Sequence, residues 1–411
     1  MLRHAKHLFA QASIFALSKS AVLLAPFFAA WSLSTGEYGA VEWWLSVSMV
    51  VGPVLALGMH GVIAYGTLGG SLTQHLSSAT AYVLVASTMV IVVSCSVFYL
   101  ASQQWLIFAT VIGLQSAIVV LQLAISARMK ALGKGAVASL FESTVYLTLL
   151  VGLAAHCLGM DFLNVYVKIM TLCGGVMGGV LLWISPRPQR DALNVRAMKG
   201  ALLQSYKFLI GGVLMAAFMG GPRILLGLLD DETAVATFSI VFRWLSIAIV
   251  VHQFINTVFF KRVYGGAVKY RSAAIMASVT LVGLAALIIA MALVFVPGEQ
   301  LGLPWPLFED RWLIATMALV MVFWAASASL EGVLGSAARP GLQTLSVAMG
   351  GTTFLAFTGI GVCLGVTDFK WLVSLAWIIG FLSIVLMQLR WVMKLGLFAF
   401  TRGNALKVGS R

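Results

Sequence analysis

Twelve apolar stretches, each long enough to cross a hydrocarbon core, set the strongest limit on what this chain can fold into. A spanning helix needs about 20 mainly apolar residues, because lipid offers no partner for an open backbone N–H or C=O. The stretches lie near 9–31, 38–62, 79–101, 105–127, 136–159, 163–185, 203–229, 234–260, 272–295, 311–334, 341–366 and 371–394. Only 9% of the residues are charged and 61% are hydrophobic, whereas a soluble domain carries about 25% charged residues. An all-α integral membrane protein follows. Arg3 and Lys6 ahead of the first run imitate a signal peptide, but Ser18, Lys19 and Ser20 interrupt that run, so it reads as the first span.

The net charge of +13 is explained by where the cations sit. The amino terminus and the loops after even-numbered spans are basic, with Arg128, Lys130 and Lys134, then Arg187, Arg190, Arg196 and Lys199, then Lys261, Arg262, Lys269 and Arg271, then Arg339. The opposite loops are acidic, with Glu37, Asp161, Asp230, Asp231, Glu232, Glu299, Glu309, Asp310 and Asp368. By the positive-inside rule both termini are cytoplasmic, and the basic balance reports topology and not nucleic acid. Trp31, Trp43, Trp44, Trp105, Trp183, Trp305, Trp312 and Trp371 fall at span ends, as interfacial anchors do. Cys95, Cys157, Cys173 and Cys363 lie in apolar segments and form neither a CxxC nor a Cys/His cluster, so they read as small hydrophobes. The sequence calls for no metal, cofactor or catalytic residue.

The longest cytoplasmic connection, SPRPQRDALNVRAMKG at 185–200, follows the sixth span. It divides the chain into an N-terminal six-helix lobe (1–185), a linker (186–202), a C-terminal six-helix lobe (203–395) and a cytoplasmic tail (396–411). LGKGAVASL at 132–140 aligns with AARPGLQTL at 337–345, and CLGMDF at 157–162 recurs as CLGVTDF at 363–369. Each pair holds the same topological place in its half. An even number of spans per half makes the repeat parallel, with an expected substrate path between the halves.

LSTGEYGAVEWWLSVSMVVGPVLALGMHGVIAYG at 33–66 resembles the first-to-second-span stretch of the polysaccharide-transport family. ISARMKALGKGAVASL at 125–140 is similar to that family's fourth-span exit, and SYKFLIGGVLMAAFMGGPRILLGLLDDETAVATFSIVFRW at 205–244 to its span-seven opening. The likeness runs over nearly the whole chain. It departs at Pro222, where the family often has Asp before the arginine. The resemblance implies two lobes around a central cavity lined by spans one, two, seven and eight. It further implies a flippase for undecaprenyl-diphosphate-linked oligosaccharide, in the superfamily that holds multidrug exporters and the peptidoglycan-precursor flippase. Its expected partners are that cargo, membrane lipid and a coupling ion (proton or sodium), with a polysaccharide polymerase complex as a further candidate.

In-span charges carry the residue-level reading, since a charge at mid-bilayer costs about 2.5–3.5 kcal/mol on insertion scales. Arg243 lies roughly 14 Å into span eight. Ser239, Arg243, Ser246, Gln253 and Thr257 share one face of that helix. The face reads as a cavity wall or as a helix contact in which Arg243 forms a structural ion pair. Arg223 follows Gly220, Gly221 and Pro222 near the outer end of span seven; it reads as a cavity residue or as a side chain snorkelling to Asp230 or Glu232. Lys19 is a third cavity candidate, whereas Lys168 sits near an outer end where it can snorkel. Glu42, one turn into span two, is the ion-coupling candidate. Glu142 and Glu331, at cytoplasmic ends, are expected to pair with Lys134 or Arg339. Gln115, Gln122 and Ser126 stripe span four, and His60, His156 and His252 read as packing or loop residues.

Four in-span cations against three carboxylates suit an anionic diphosphate better than the cationic drugs of a multidrug exporter. A membrane glycosyltransferase would carry a large outer loop with Arg and His, but the longest outer connection, 297–311, is short and has no histidine. The chain is therefore expected to be a transporter and not an enzyme.

Overall fold

The computed structural model describes residues 2–69, 72–100, 104–185, 194–264, 268–295, 310–336 and 339–397. The helices are α1 (Leu2–Ser32), α2 (Thr35–Leu55), α3 (Met59–Leu68), α4 (Leu76–Leu100), α5 (Gln104–Ala131), α6 (Gly135–Glu142) and α7 (Thr144–Cys157). They continue as α8 (Phe162–Ile184), α9 (Val195–Leu229), α10 (Glu232–Tyr264), α11 (Val268–Phe295), α12 (Arg311–Ser336), α13 (Pro340–Cys363) and α14 (Phe369–Lys394). Among the described residues there is no strand. Eleven helices are long and apolar enough to cross a membrane, and the pair α6–α7, bent by 47°, makes a twelfth when counted as one span. The chain is a multi-pass, all-helical membrane protein.

Two expected spans are broken, each for a local reason. Between α6 and α7, Ser143 Oγ donates to Leu140 O at 2.8 Å and Thr144 Oγ1 to Phe141 O at 2.7 Å. Such side-chain back-bonding competes with the helical ladder and bends it. The stretch expected as one span over 38–62 ends as α2 at Leu55 and resumes as α3. Pro53 lies in the last turn of α2, and Leu57 (φ 45°) and Gly58 (φ 73°) take the left-handed conformation. A Cβ on Gly58 would lie 2.2 Å from Ser205 O, so only glycine lets α9 approach there.

The chain forms two compact units, Met1–Gly220 and Gly221–Arg411. The division falls within α9, later than the linker at 186–202. The first part of α9 packs on the first unit: Tyr65 stacks on Phe208 at 5.3 Å between ring centroids, and Gly58 abuts Ser205. In the first unit α5 is the central helix, with 61% of its apolar window buried and with α2, α3, α4, α6 and α8 packed on it, whereas only 17% of the corresponding window of α4 is buried. In the second unit 67% of the apolar window of α10 within Glu232–Val250 is buried.

The two short sequence matches fold alike. Lys134 (φ −99°, ψ 51°) and Arg339 (φ −117°, ψ 54°) cap the following helices in the same conformation. Their N–H groups donate five residues back, to Met129 O and Leu334 O. At the second match, Gly159 (φ 82°) and Gly365 (φ 77°) end their helices in left-handed turns. Met160 N then donates to Ala155 O and Val366 N to Gly361 O, the six-to-one bond of a Schellman turn. Asp161 and Asp368 cap the next helices, accepting from Asn164 N at 3.3 Å and Trp371 N at 3.0 Å.

Of the tryptophans expected as interfacial anchors, Trp31, Trp105, Trp183, Trp312 and Trp371 are all exposed and lie within three residues of a helix end. Trp44 is a correction: it is buried, 5.2 Å from the Phe108 ring, because the α2 face carrying it packs on α5. Trp305 lies outside the described residues. All four cysteines are free thiols.

Candidate functional site

Arg223 sits in the second unit, 8% exposed, with its guanidinium carbon 4.4 Å from the Phe242 ring centroid. Phe242 stacks on Trp324 at 6.1 Å and tilts against Trp377 at 5.6 Å, and Trp377 also meets Phe238 and Phe381. An aromatic platform from α10, α12 and α14 therefore lies under a cation from α9. Face-on cation–π contact returns about 0.5–2 kcal/mol, rising with desolvation, against the cost of holding the charge. Beside Arg223, Gly221 leaves room for α13: a Cβ there would stand 3.2 Å from the Phe354 ring.

Asp230, one of the two acids that a snorkelling Arg223 would seek, stands near Asp231, Asp368 and Lys370. Partial burial, with Asp231 and Asp368 nearby, holds the Asp230 carboxyl above the usual carboxylate range, and Lys370 opposes that shift. Asp231 is occupied in capping α10, accepting from Ala234 N at 2.8 Å.

The rest of the second-unit stripe runs along about four turns of α10. Arg243 is 7% exposed, Ser239 is fully buried, and Ser246 donates from Oγ to Arg243 O at 2.8 Å. Ser246 and Gln253 are half-buried. The side chain of Thr257 lies outside the described residues. His252, on the same helix, has Nδ1 2.9 Å from Ser278 Oγ and 3.5 Å from Ser329 Oγ, so it links α10 to α11 and α12. That is the packing role expected of it.

Lys19 and Glu42 belong to the first unit, apart from Arg223, Arg243, Ser239, Ser246 and Gln253 in the second. Lys19 is half-buried, with Nζ 5.6 Å from the Phe15 ring centroid and Glu142 within electrostatic range. Its neighbour Ser18 donates to Ser139 O at 2.5 Å, pinning α1 to α6. Glu42 is fully buried on α2 and accepts from Tyr38 OH at 3.2 Å. Nearby on the same helix, Ser48 donates to Gln115 Oε1 at 2.9 Å and Gln115 Nε2 to Tyr166 OH at 3.0 Å, a polar chain from α2 through α5 to α8. Gln115 is thus an interhelical bond-maker. Lys168 is exposed.

The expected partners of the two cytoplasmic-end acids need correction. Glu142 pairs with Lys130 and accepts from Ser126 Oγ at 2.6 Å. Ser126 and Lys130 are four apart on α5 and so share a face, whereas Lys134 caps the far end of α6, about 12 Å away along the helix. Glu331 accepts from Gln343 Nε2, one turn into α13, and not from Arg339, which caps that helix.

Three residues escaped the sequence reading. Trp324 and Trp377 sit mid-span instead of at span ends, which was the available signal. Arg128 counted only as a loop charge, yet it is 9% exposed and clamps three helices: Nε donates to Ile184 O at 2.7 Å and Nη1 to Thr67 Oγ1 at 3.0 Å. Nothing in its sequence context distinguishes it from its neighbours.

The fold has known counterparts. An inward-facing multidrug resistance MATE family transporter of the MOP superfamily superposes with a TM-score of 0.59 at 13% identity, over 94% of this chain and 98% of that one. The MATE multidrug transporter DinF-BH gives 0.59 at 12% identity over 93% of each chain. The lipid II flippase MurJ in an inward closed conformation gives 0.59 at 11% identity, over 95% of this chain and 88% of that one. No protein-family model matches the chain, and no curated protein sequence does. The chain therefore has the MATE- and MurJ-like transporter fold.

Proposed function

We propose that this protein is a flippase of a bacterial inner membrane. It moves undecaprenyl-diphosphate-linked oligosaccharide from the cytoplasmic to the outer leaflet by alternating access. The observation that carries the proposal is the retention of Arg223 and Arg243 in spanning helices at 8% and 7% exposure. A diphosphate leaving water needs charge-assisted donors, and arginine supplies them as a planar fork. Lys19 is the third donor proposed, with Ser239, Ser246 and Gln253 as neutral contacts. The fold supports a substrate of this size, since MurJ, a lipid II flippase, shares it. A peptidoglycan-precursor flippase is the nearest alternative for the same reason. The MATE neighbours favour a multidrug exporter instead, and the cationic balance of the spans stands against that.

The test is translocation in proteoliposomes with three probes: a lipid-linked oligosaccharide, lipid II and a cationic dye. Faster movement of the oligosaccharide carrier supports the proposal, and movement of the dye alone overturns it. Orientation is checked by labelling single cysteines with an impermeant reagent in intact cells. A cysteine at Gly302 should react, whereas one at Arg196 or Arg411 should not; labelling at position 196 would reverse the topology.

Glu42 is proposed to bind a proton or sodium ion during the cycle. It is the in-span carboxylate with full burial and a tyrosine hydroxyl as donor. Glu42→Gln proteoliposomes are expected to lose the acceleration that an imposed ion gradient gives the parent. Unchanged gradient dependence would remove Glu42 from the mechanism.

A further inference from the structure

A crevice of about 570 Å³ opens between α11 and α12, away from every residue assigned above. Gly283, Ala286 and Ala290 on α11 face Ala315, Ala318 and Val322 on α12, so small side chains give it depth. At one end the helices touch: a Cβ on Gly283 would lie 3.6 Å from Val322 Cγ2. At the other end the crevice is bounded by Phe295 and Arg311, with Trp312 74% exposed beside them. Its rim is exposed hydrocarbon, with Leu287, Met291 and Leu319 all more than half exposed. From Gly283 to Phe295 the helix rises about 18 Å, close to the depth of one leaflet of a hydrocarbon core about 30 Å thick.

We infer that this crevice is a binding site for one phospholipid, with an acyl chain between α11 and α12 and its anionic phosphate on Arg311. Three features select that occupant. The lining is apolar along its length, the only charge among the described lining residues is a cation, and that cation stands at the interfacial end. The closed end at Gly283 and Val322 stops a chain at mid-membrane, so a polyprenyl tail of many isoprene units would overrun it. On the orientation read from the loop charges, the lipid belongs to the outer leaflet. Interfacial basic side chains attract anionic headgroups, and an ordered acyl chain adds burial that a bulk lipid lacks. The bound lipid would fill the space that the small side chains of α11 and α12 leave between two otherwise packed helices.

The experiment uses the full chain in nanodiscs of phosphatidylcholine doped with phosphatidylglycerol that bears a photoreactive acyl chain. After illumination, adducts are mapped by mass spectrometry. Adducts should concentrate on 283–295 and 311–322, well above those on α4, whose Val85 and Met89 are equally lipid-exposed. Arg311→Gln should lower the crevice yield about fivefold, and Arg311→Lys should restore most of it. Ala315→Trp, at an exposed position, should fill the crevice and remove the adducts without changing the melting temperature. Crevice labelling no higher than on α4, or indifferent to Arg311→Gln, overturns the inference. Displacement of the label by polyprenyl diphosphate at equal concentration overturns the phospholipid assignment and makes the crevice a seat for cargo. The readout needs no transport, so it stands or falls separately from the flippase proposal.

Discussion

Arg243→Ala protein should insert to the parental level, yet move lipid-linked oligosaccharide one to two orders of magnitude more slowly. Each charge-assisted contact removed costs about 1.5–3 kcal/mol, and about 1.36 kcal/mol is a factor of ten in rate. Arg223→Ala should lose as much transport and in addition some stability, because its guanidinium also packs on Phe242. Lysine at position 243 should retain part of the activity, since the charge survives and the bidentate fork does not. A purely structural ion pair gives another pattern: lower abundance for Arg243→Ala, matched by removal of its partner. Parental translocation by stably inserted Arg223→Ala and Arg243→Ala proteins would sink the cationic-cavity mechanism.

Arg128→Ala should give the largest loss of stability of any single surface-end charge, with a melting temperature several degrees lower in detergent. Its two bonds hold the ends of α3, α5 and α8 together at 3.0 Å and 2.7 Å. Losing both leaves the last carbonyl of α8 and the Thr67 hydroxyl short of a donor, at a combined cost of about 3 kcal/mol. Arg128→Lys should recover less than half of that, because an ammonium cannot reach two acceptors in different directions as Nε and Nη1 do. Transport per inserted molecule should be unchanged by either variant. A melting curve indistinguishable from the parent's would show that the clamp carries no weight.

Lys130 and Lys134 show where sequence reasoning reaches its limit. Both are basic, both lie at the α5–α6 connection, and either is close enough in sequence to meet Glu142. Only the rise and phase of two helices decide between them, placing Ser126 and Lys130 on the face that meets Glu142. The same holds for Trp44, which composition assigns to an interface and packing assigns to a contact with Phe108. Arg223 is the opposite case. Its Gly-Gly-Pro approach made it conspicuous in the sequence, and the glycine at 221 does prove to be a point of close contact with Phe354. What the sequence could not supply was the platform beneath it, because Phe242, Trp324 and Trp377 come from three helices spread over more than a hundred residues.

By itself the amino-acid order determined that the chain is helical, spans a membrane about a dozen times and repeats two of its turns some two hundred residues apart. Those properties depend on the length and hydrophobicity of contiguous segments, and on turn residues such as Gly159 and Gly365 that must adopt a left-handed backbone. Which charges are clamped, which are paired and which lie on aromatic rings was decided only by the tertiary structure. Inside lipid a charge is tolerable only beside specific partners, and those partners are brought in by helices that sequence distance does not connect.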